Sequence, residues 1–211
     1  MLIDFRQLFP KYGISPIGVC HIGGNIGEEF PVYMELGIKK QIWVEANPKM
    51  YEQLVQNISS NKEAIAYCIC AGDENKNVVL HESNNSGQSS SVLELGTHKE
   101  VHPEVHYIGD IEVPMVRMEE FLTPQQFHSV DFLNIDVQGF ELNVLKGIGN
   151  YLHNFNAIYL EVNKAELYVG CPLVEDLDAY LLIYGFTRVE TMWCGNTNWG
   201  DALWIKVGMI K

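Results

Sequence analysis

The sequence predicts an α/β domain, a mostly parallel β-sheet covered by helices on both faces. Three observations carry this. Short apolar runs alternate with amphipathic segments from one end of the chain to the other. The first apolar run leads straight into a glycine-rich turn, His21-Ile-Gly-Gly-Asn-Ile-Gly27, the kind of turn that lets backbone approach a ligand closely. Two other runs end in an acid, Glu45 and Asp136, as strands do at the ligand-binding carboxyl edge of an open sheet.

Taken in order, residues 17–22 read as the first strand and 25–37 as a helix. Residues 41–45 form the second strand, and 48–59 the next helix, where Pro48 suits the first turn because its missing N–H would have no partner there. Residues 64–71 read as a third strand, with 77–82 and 111–116 as additional ones. Residues 83–109 between them are polar, rich in Ser, Asn, Gly and His, and aperiodic, a candidate lid or substrate loop. A short helix over 118–122 precedes a buried strand over 130–136. A helix over 139–146, a strand over 157–162 and a last helix over 172–184 follow. Residues 186–190 and 202–207 are expected to close the sheet as an antiparallel pair.

With 211 residues, 47% hydrophobic and 19% charged, the chain suits one domain spanning 1–211 with a full core. A net charge of -13 argues against nucleic acid, whose binding depends on basic phosphate contacts. The first twelve residues interleave Asp4, Arg6 and Lys11 with short apolar stretches, unlike a signal peptide. No run approaches the roughly 18 apolar residues of a membrane helix. The expectation is a soluble, cytoplasmic protein without a membrane or nucleic-acid partner; a homodimer is one assembly it allows. The five cysteines, Cys20, Cys68, Cys70, Cys171 and Cys194, are an odd number scattered over apolar segments, so free buried thiols are expected and no disulfide framework. Cys68 and Cys70 should face the same side of one strand. His98, His102 and His106 recur at helical spacing, but Pro103 interrupts them and a solvated irregular segment is expected.

The turn at 21–27 has the wrong spacing for G-x-G-x-x-G, since Ile22 or Asn25 stands where glycine is needed, and no Gly-Lys-Ser/Thr follows to hold a triphosphate. It suits a compact zwitterion such as the methionine end of S-adenosylmethionine, its carboxylate reached by N–H groups near a helix start. Glu45 stands where a carboxylate accepts ribose hydroxyls, or else it supports the helix start at Asn47-Pro48. Asp73 is placed to accept an adenine amino group, or it belongs to plain turn chemistry with Gly72. Asp136 ends a buried strand, and burying a charge with no work to do is costly. Glu141 is either a structural carboxylate near a helix N-terminus or one that reaches the ligand.

His21-Ile-Gly-Gly-Asn-Ile-Gly27 resembles the Asp-Ile-Gly-Ala-Asn-Ile-Gly motif of FkbM-type methyltransferases. Val44-Glu-Ala-Asn-Pro48 is similar to their Phe-Glu-Pro-Asn-Pro, and Leu133-Asn-Ile-Asp-Val-Gln-Gly-Phe-Glu141 to their Lys-Ile-Asp-Val-Glu-Gly-x-Glu. Leu145-Lys-Gly147, the Ser89-Ser90-Ser91 patch and the late Glu161 extend the resemblance over 18–205. It implies a Rossmann-like class I methyltransferase fold with a seven-stranded, mostly parallel sheet and a C-terminal antiparallel strand. It also implies S-adenosylmethionine as donor and methyl transfer to a hydroxyl of a small molecule, sugar or glycan. The cofactor contacts expected on these grounds are His21, Gly23, Gly24, Asn25, Gly27, Glu45, Ala46, Asp73, Ser90, Asp136 and Gln138. His21 departs from the family's Asp, which commonly holds the methionine ammonium, so a cofactor-binding module without turnover is the alternative reading.

Methyl transfer is an in-line displacement for which a protein supplies alignment and help with the hydroxyl proton. Asp136 is the expected catalytic group, as general base or as the residue orienting the acceptor. Glu141, Glu161, Asn163 and Trp199 are expected on the acceptor side, the last within 192–201, where Asn196, Asn198 and Asp201 alternate with tryptophans in a mixture suited to sugar rings. A metal held by Asp136, Glu161 and Asn163 is the weaker option beside hydrogen-bonded supporting roles for the last two.

Overall fold

The computed structural model describes residues 2–208. In chain order its strands are β1 (Gly18–Ile22), β2 (Lys40–Glu45), β3 (Ala64–Cys68), β4 (Cys70–Ala71), β5 (Lys76–Ser83), β6 (Tyr107–Val116), β7 (Phe132–Ile135), β8 (Ala157–Asn163), β9 (Phe186–Trp193) and β10 (Trp199–Lys206). Its helices are α1 (Phe5–Tyr12), α2 (Phe30–Glu35), α3 (Pro48–Ile58), α4 (His98–Val101), α5 (Met118–Phe121), α6 (Pro124–Phe127), α7 (Glu141–Ile148) and α8 (Val174–Ile183). A 3-10 turn over Gly149–Asn154 follows α7. Among the described residues no helix is long and apolar enough to cross a membrane.

Seven strands form one sheet in the order β3-β2-β1-β7-β8-β10-β9. Neighbours from β3 to β8 run parallel, and β10 runs antiparallel to both β8 and β9. This is the Rossmann-like sheet with a C-terminal antiparallel strand that the sequence predicts. Every residue of β1, β7 and β8 is buried, because helices cover both faces. On one face Cys20, Ile22, Leu133, Ile135 and Leu160 pack under Val144 and Leu145 of α7 and Leu177 and Leu181 of α8. On the other, Val19, Trp43, Phe132 and Tyr159 meet Phe5 and Phe9 of α1, Tyr33 of α2 and Leu54 of α3. Each such side chain contributes about 1.5–3 kcal/mol by leaving water.

The structure corrects the sequence reading in four places. α1 was not foreseen because Pro10 lies inside it, yet Asp4 caps its start by accepting from the Arg6 N–H at 2.9 Å and Gly13 closes it with φ 64. The helix expected over 25–37 shrinks to α2, since Pro31 has no N–H to donate to an earlier turn and is tolerated only in the first one. The third strand splits at Ile69. Its partner β2 ends at Glu45, opposite Cys68, and the chain crosses to pair Cys70 with Met115 in a separate sheet of order β4-β6-β5. Cys68 and Cys70 therefore lie in different sheets; all five cysteines are free, with Cys68 and Cys194 only partly buried. Finally, residues 83–109 are folded: a nest of Ser and Asn side chains over 83–90 is followed by α4, and His98 is buried where a solvated segment was expected.

Candidate active site

β1 pairs with β2 on one side and β7 on the other; the connection leaving β1 runs to β2 and the one leaving β7 runs the opposite way to β8, which opens a crevice between their carboxyl ends. A cavity of about 510 Å³ fills that crevice, within the roughly 300–1,000 Å³ typical of small-molecule sites.

The floor is backbone. The Gly23 and Gly24 N–H groups donate to the Val44 carbonyl at 2.8 and 3.0 Å, tying the turn to β2. Gly23 has φ +83, and a Cβ on it would lie 1.7 Å from the Asp136 carbonyl oxygen, so only glycine fits where the turn crosses the end of β7. Asn25 and Gln138 line the cavity in left-handed conformations, φ 44 and 55; non-glycine residues held this way cluster at ligand sites.

Glu45 anchors the next wall. Its Oε2 accepts from the Asn25 N–H and its Oε1 from the Asn47 N–H, both at 2.7 Å, so it supports the helix start at Asn47-Pro48, as one of its two expected roles required. Each oxygen keeps a second lone pair. Burial raises its pKa to about 7 against the opposing pull of the backbone N–H groups. Ala46, Cys70, Leu80 and Phe140 continue the wall as an apolar patch belonging to the small-sheet cluster.

His21 lies on the cavity wall but in an aromatic setting. Its ring stacks on Trp43 at 4.6 Å, and its Nδ1 lies 3.2 Å from the Tyr33 hydroxyl. Burial pushes its pKa down to about 3, which keeps it neutral. The acidic side chains lie elsewhere on the wall: Glu29, Asp136, Glu161 and Asp201 all line the cavity. Gln138 organises two of them, its Nε2 donating to Asp136 Oδ1 at 2.6 Å and to Glu161 Oε2 at 2.7 Å. Burial raises the pKa of both carboxyls, Glu161 the more strongly; the Asp201 carboxyl raises both further, and Asp136 adds to the shift of Glu161. The Tyr168 hydroxyl completes the network by donating to Gln138 Oε1 at 2.6 Å. Asp201 instead accepts from the Tyr159 hydroxyl at 2.6 Å.

The roof is the segment 83–109. Ser90 Oγ accepts from the Ser83 N–H at 3.1 Å, and the Ser91 hydroxyl donates to the Gln138 carbonyl at 2.8 Å. Asn25 reaches across to it, its Nδ2 donating to the Ser86 carbonyl at 3.3 Å. Gly96 and His98 donate their N–H groups to the Leu167 carbonyl at 2.8 and 3.2 Å, docking α4 beside Tyr168. Trp199 closes the side as the first residue of β10. Trp193 does not reach the cavity and packs under the Lys164 ammonium at 4.0 Å.

Of the residues singled out in the sequence, the cavity brings together His21, Gly23, Gly24, Asn25, Glu45, Ala46, Ser90, Asp136, Gln138, Glu161 and Trp199. It leaves out Gly27, which packs against Leu54 and Ile58 of α3, and Asp73, whose carboxylate accepts from Asn143 Nδ2 at 3.1 Å. Glu141 lies beneath the site, accepting from the Val137 and Gly139 N–H groups at 3.2 and 3.1 Å and so bracing the turn after β7. Asn163 is buried away from the cavity wall, and Asn196 and Asn198 stay outside it too. Among the described residues no group of three His, Cys, Asp or Glu is arranged to hold a metal. The sequence reading missed Glu29, His98, Phe140 and Tyr168. Glu29 carries a usable signal as an acid at the start of the helix after the glycine turn; the others have none.

Comparison with known proteins agrees with this fold. Over 181 residues the chain is 27% identical to 2-O-methyltransferase NoeI of Sinorhizobium fredii (strain NBRC 101917 / NGR234), covering 81% of this chain and 74% of that protein. Among solved structures it superposes on Streptococcus pneumoniae Sp1610, described as a candidate tRNA (m1A22) methyltransferase and crystallised with S-adenosyl-L-methionine. The TM-score is 0.53 at 14% identity, covering 99% of this chain and 75% of that one. The methyltransferase domain of bacterial CtHen1-CN matches at a TM-score of 0.52 and 7% identity, covering 95% of each chain. Such distant likeness speaks for the fold. The family model described as the methyltransferase FkbM domain matches residues 21–188, most of the length and every motif around the cavity, and the chain belongs to the FkbM methyltransferase family.

Proposed function

We propose that the protein is an S-adenosylmethionine-dependent O-methyltransferase that methylates a hydroxyl of a small molecule or sugar. S-adenosylmethionine is the methyl donor of the family and, when bound, supplies a methyl group on a positively charged sulfur, already activated for displacement. The donor set of the cavity fits such a ligand. Glu45 has two free lone pairs for the ribose hydroxyls, the patch of Ala46, Leu80 and Phe140 suits an adenine, and Glu29, Asp136 and Asp201 supply negative charge for a cation. The observation that carries the reading is this clustering of acids beside a Glu45 already held in place by backbone N–H groups.

In this reading Asp136 is the central polar group of the reaction, held by Gln138 so that its charge faces the reacting centre while acceptor and methyl are aligned. Glu161 and Gln138 hold that geometry. Neutral His21 carries none of the charge that the family's usual Asp would; Glu29, Asp136 and Asp201 take over. Tyr168 and Trp199 give the acceptor flat faces, which suits a sugar ring. The relative whose name specifies 2-O-methylation supports a hydroxyl acceptor, and the net charge of -13 disfavours RNA.

Calorimetry with S-adenosylmethionine, followed by labelled methyl transfer to a panel of monosaccharides, glycosides and phenols, tests the proposal. Asp136→Ala should lower transfer by on the order of 100-fold or more without lowering the melting temperature. Wild-type turnover in that variant contradicts the role given to Asp136. Donor binding with no transfer to any hydroxyl points instead to a binding module.

A further inference from the structure

Three carboxyls stand in a row across the sheet. Ile135 lies opposite Leu160 and Asp201 opposite Glu161, so Asp136, Glu161 and Asp201 share one level across β7, β8 and β10. All three line the cavity, and among the described residues no Lys or Arg does. Acids packed side by side without a cation resist ionising together, so the row holds a proton while the crevice is empty.

Glu161 is the middle member of the row and is 7% exposed. Its Oε2 accepts from Gln138 Nε2 at 2.7 Å, and the same nitrogen donates to Asp136 Oδ1 at 2.6 Å. A molecule in contact with Asp136 is therefore beside Glu161 as well. The Tyr168 hydroxyl holds Gln138 Oε1 at 2.6 Å, which fixes the amide so that its nitrogen faces both acids. Glu161 Oε1 has no hydrogen-bond partner among the described residues, yet it is not one of their fully buried unpaired atoms, which occur in His98, Glu141, Asn154 and Asn163. The small exposed part of a residue on the cavity wall opens into the cavity, so Oε1 faces the space a ligand would fill. Burial, and then the neighbouring Asp136, Glu141 and Asp201, raise the pKa of Glu161 well above the ordinary carboxylate range, further than that of Asp136.

Resting on the O-methyltransferase reading given above, we propose that Glu161 is the general base of the methyl transfer and that its Oε1 removes the proton of the acceptor hydroxyl. The acceptor oxygen forms its new bond to the methyl carbon as the bond from that carbon to sulfur breaks, leaving the electron pair on sulfur. The hydroxyl proton passes to Oε1, and Glu161 returns it to water after product leaves. No other co-reactant is needed. A general base must bind a proton well and yet be free of one when the reaction starts. Burial among acids provides the first condition. The second is met once a positively charged sulfur lies beside the row, because a nearby cation favours the ionised carboxyl. The imidazoles on the wall are less suited. His21 is stacked on Trp43 with its pKa pushed down to about 3, and the unpaired Nδ1 of His98 is fully buried.

The test uses the whole protein with Glu161→Gln, Glu161→Ala and Asp136→Asn. Glu161→Gln keeps an oxygen for Gln138 Nε2, so its melting temperature and its calorimetric affinity for S-adenosylmethionine should stay close to wild type. With saturating donor, its kcat toward a hydroxyl acceptor found in the panel should fall about 100-fold, and the acid limb of the kcat–pH profile should disappear. Added formate, a small carboxylate, should restore part of the rate in Glu161→Ala. Asp136→Asn should instead keep the acid limb and move it to lower pH, since it removes one of the acids that raise Glu161. Wild-type kcat in Glu161→Gln overturns the assignment and leaves the O-methyltransferase reading intact. So does a lowered kcat with the acid limb unchanged and no rescue by formate, or an acid limb lost in Asp136→Asn and kept in Glu161→Gln. Failure of the wild-type protein to methylate any hydroxyl overturns both.

Discussion

The wall made by residues 23–25 with Glu45 and the wall made by His98, Tyr168 and Trp199 enclose the same cavity by different means. The first consists of backbone and of bonds between short sequence motifs. Its carboxylate, Glu45, is held between the Asn25 and Asn47 N–H groups. The second consists of side chains from three segments far apart in the chain, and it leaves His98 Nδ1 unpaired. In the reading proposed above, the wall of short motifs takes the donor and the wall of long-range contacts takes the variable acceptor.

Substitutions on the first wall should show the largest effects. Gly23→Ala places a methyl group 1.7 Å from the Asp136 carbonyl oxygen at φ +83. It should cost on the order of 3 kcal/mol or more and abolish donor binding, as read by chemical denaturation and calorimetry. A stable variant that still binds would show that the floor is softer than the contrast requires. Glu45→Gln should be milder: it turns an NH2 group toward one of two N–H donors and removes the charged acceptor. Affinity for S-adenosylmethionine should fall about 10- to 100-fold, with kcat at saturating donor little changed. A pure loss of kcat would move Glu45 to the acceptor side.

The smallest expected effect is on stability against pH, and it separates the two walls by sign. Glu45 has a folded pKa raised to about 7 from the usual 4.5, so the folded state holds a proton that the unfolded chain has released; stability falls as pH rises through that window. Asp136 and Glu161 shift the same way. His21, lowered from 6.5 to about 3, acts oppositely: its contribution is complete above pH 6.5 and is lost as pH falls toward 3. His98 shifts in the same direction as His21. The melting temperature should therefore rise by a few degrees from pH 8 to pH 6.5 and level off below. Glu45→Gln should flatten the first part of that curve, and a wild-type curve that is flat from pH 8 to 6.5 would contradict the burial of these acids.

The legibility of the sequence follows the same division. The alternation of strands and helices, the glycine turn and the acids Glu45 and Asp136 at strand ends could be read because each depends on local pattern, whereas the seven-stranded sheet came with the family resemblance. α2 came out shorter than expected because Pro31 sets where hydrogen bonding can begin, and the split at Ile69 depends on where a neighbouring strand stops. Asp73 had the right residue type at a strand end, but its chain turns to Asn143 and not to the cavity. His98 and Tyr168 could not be found in sequence, since 70 residues separate them and long-range bonds such as the bridge between Leu95 and Tyr168 and those to the Leu167 carbonyl bring them together.

A crystal grown with S-adenosylhomocysteine, the demethylated donor, tests the central claim most directly. The account predicts ribose hydroxyls on Glu45, the adenine against Ala46 and Phe140, and the sulfur end turned toward Asp136. Density in another place, or an empty crevice at saturating ligand, would contradict it.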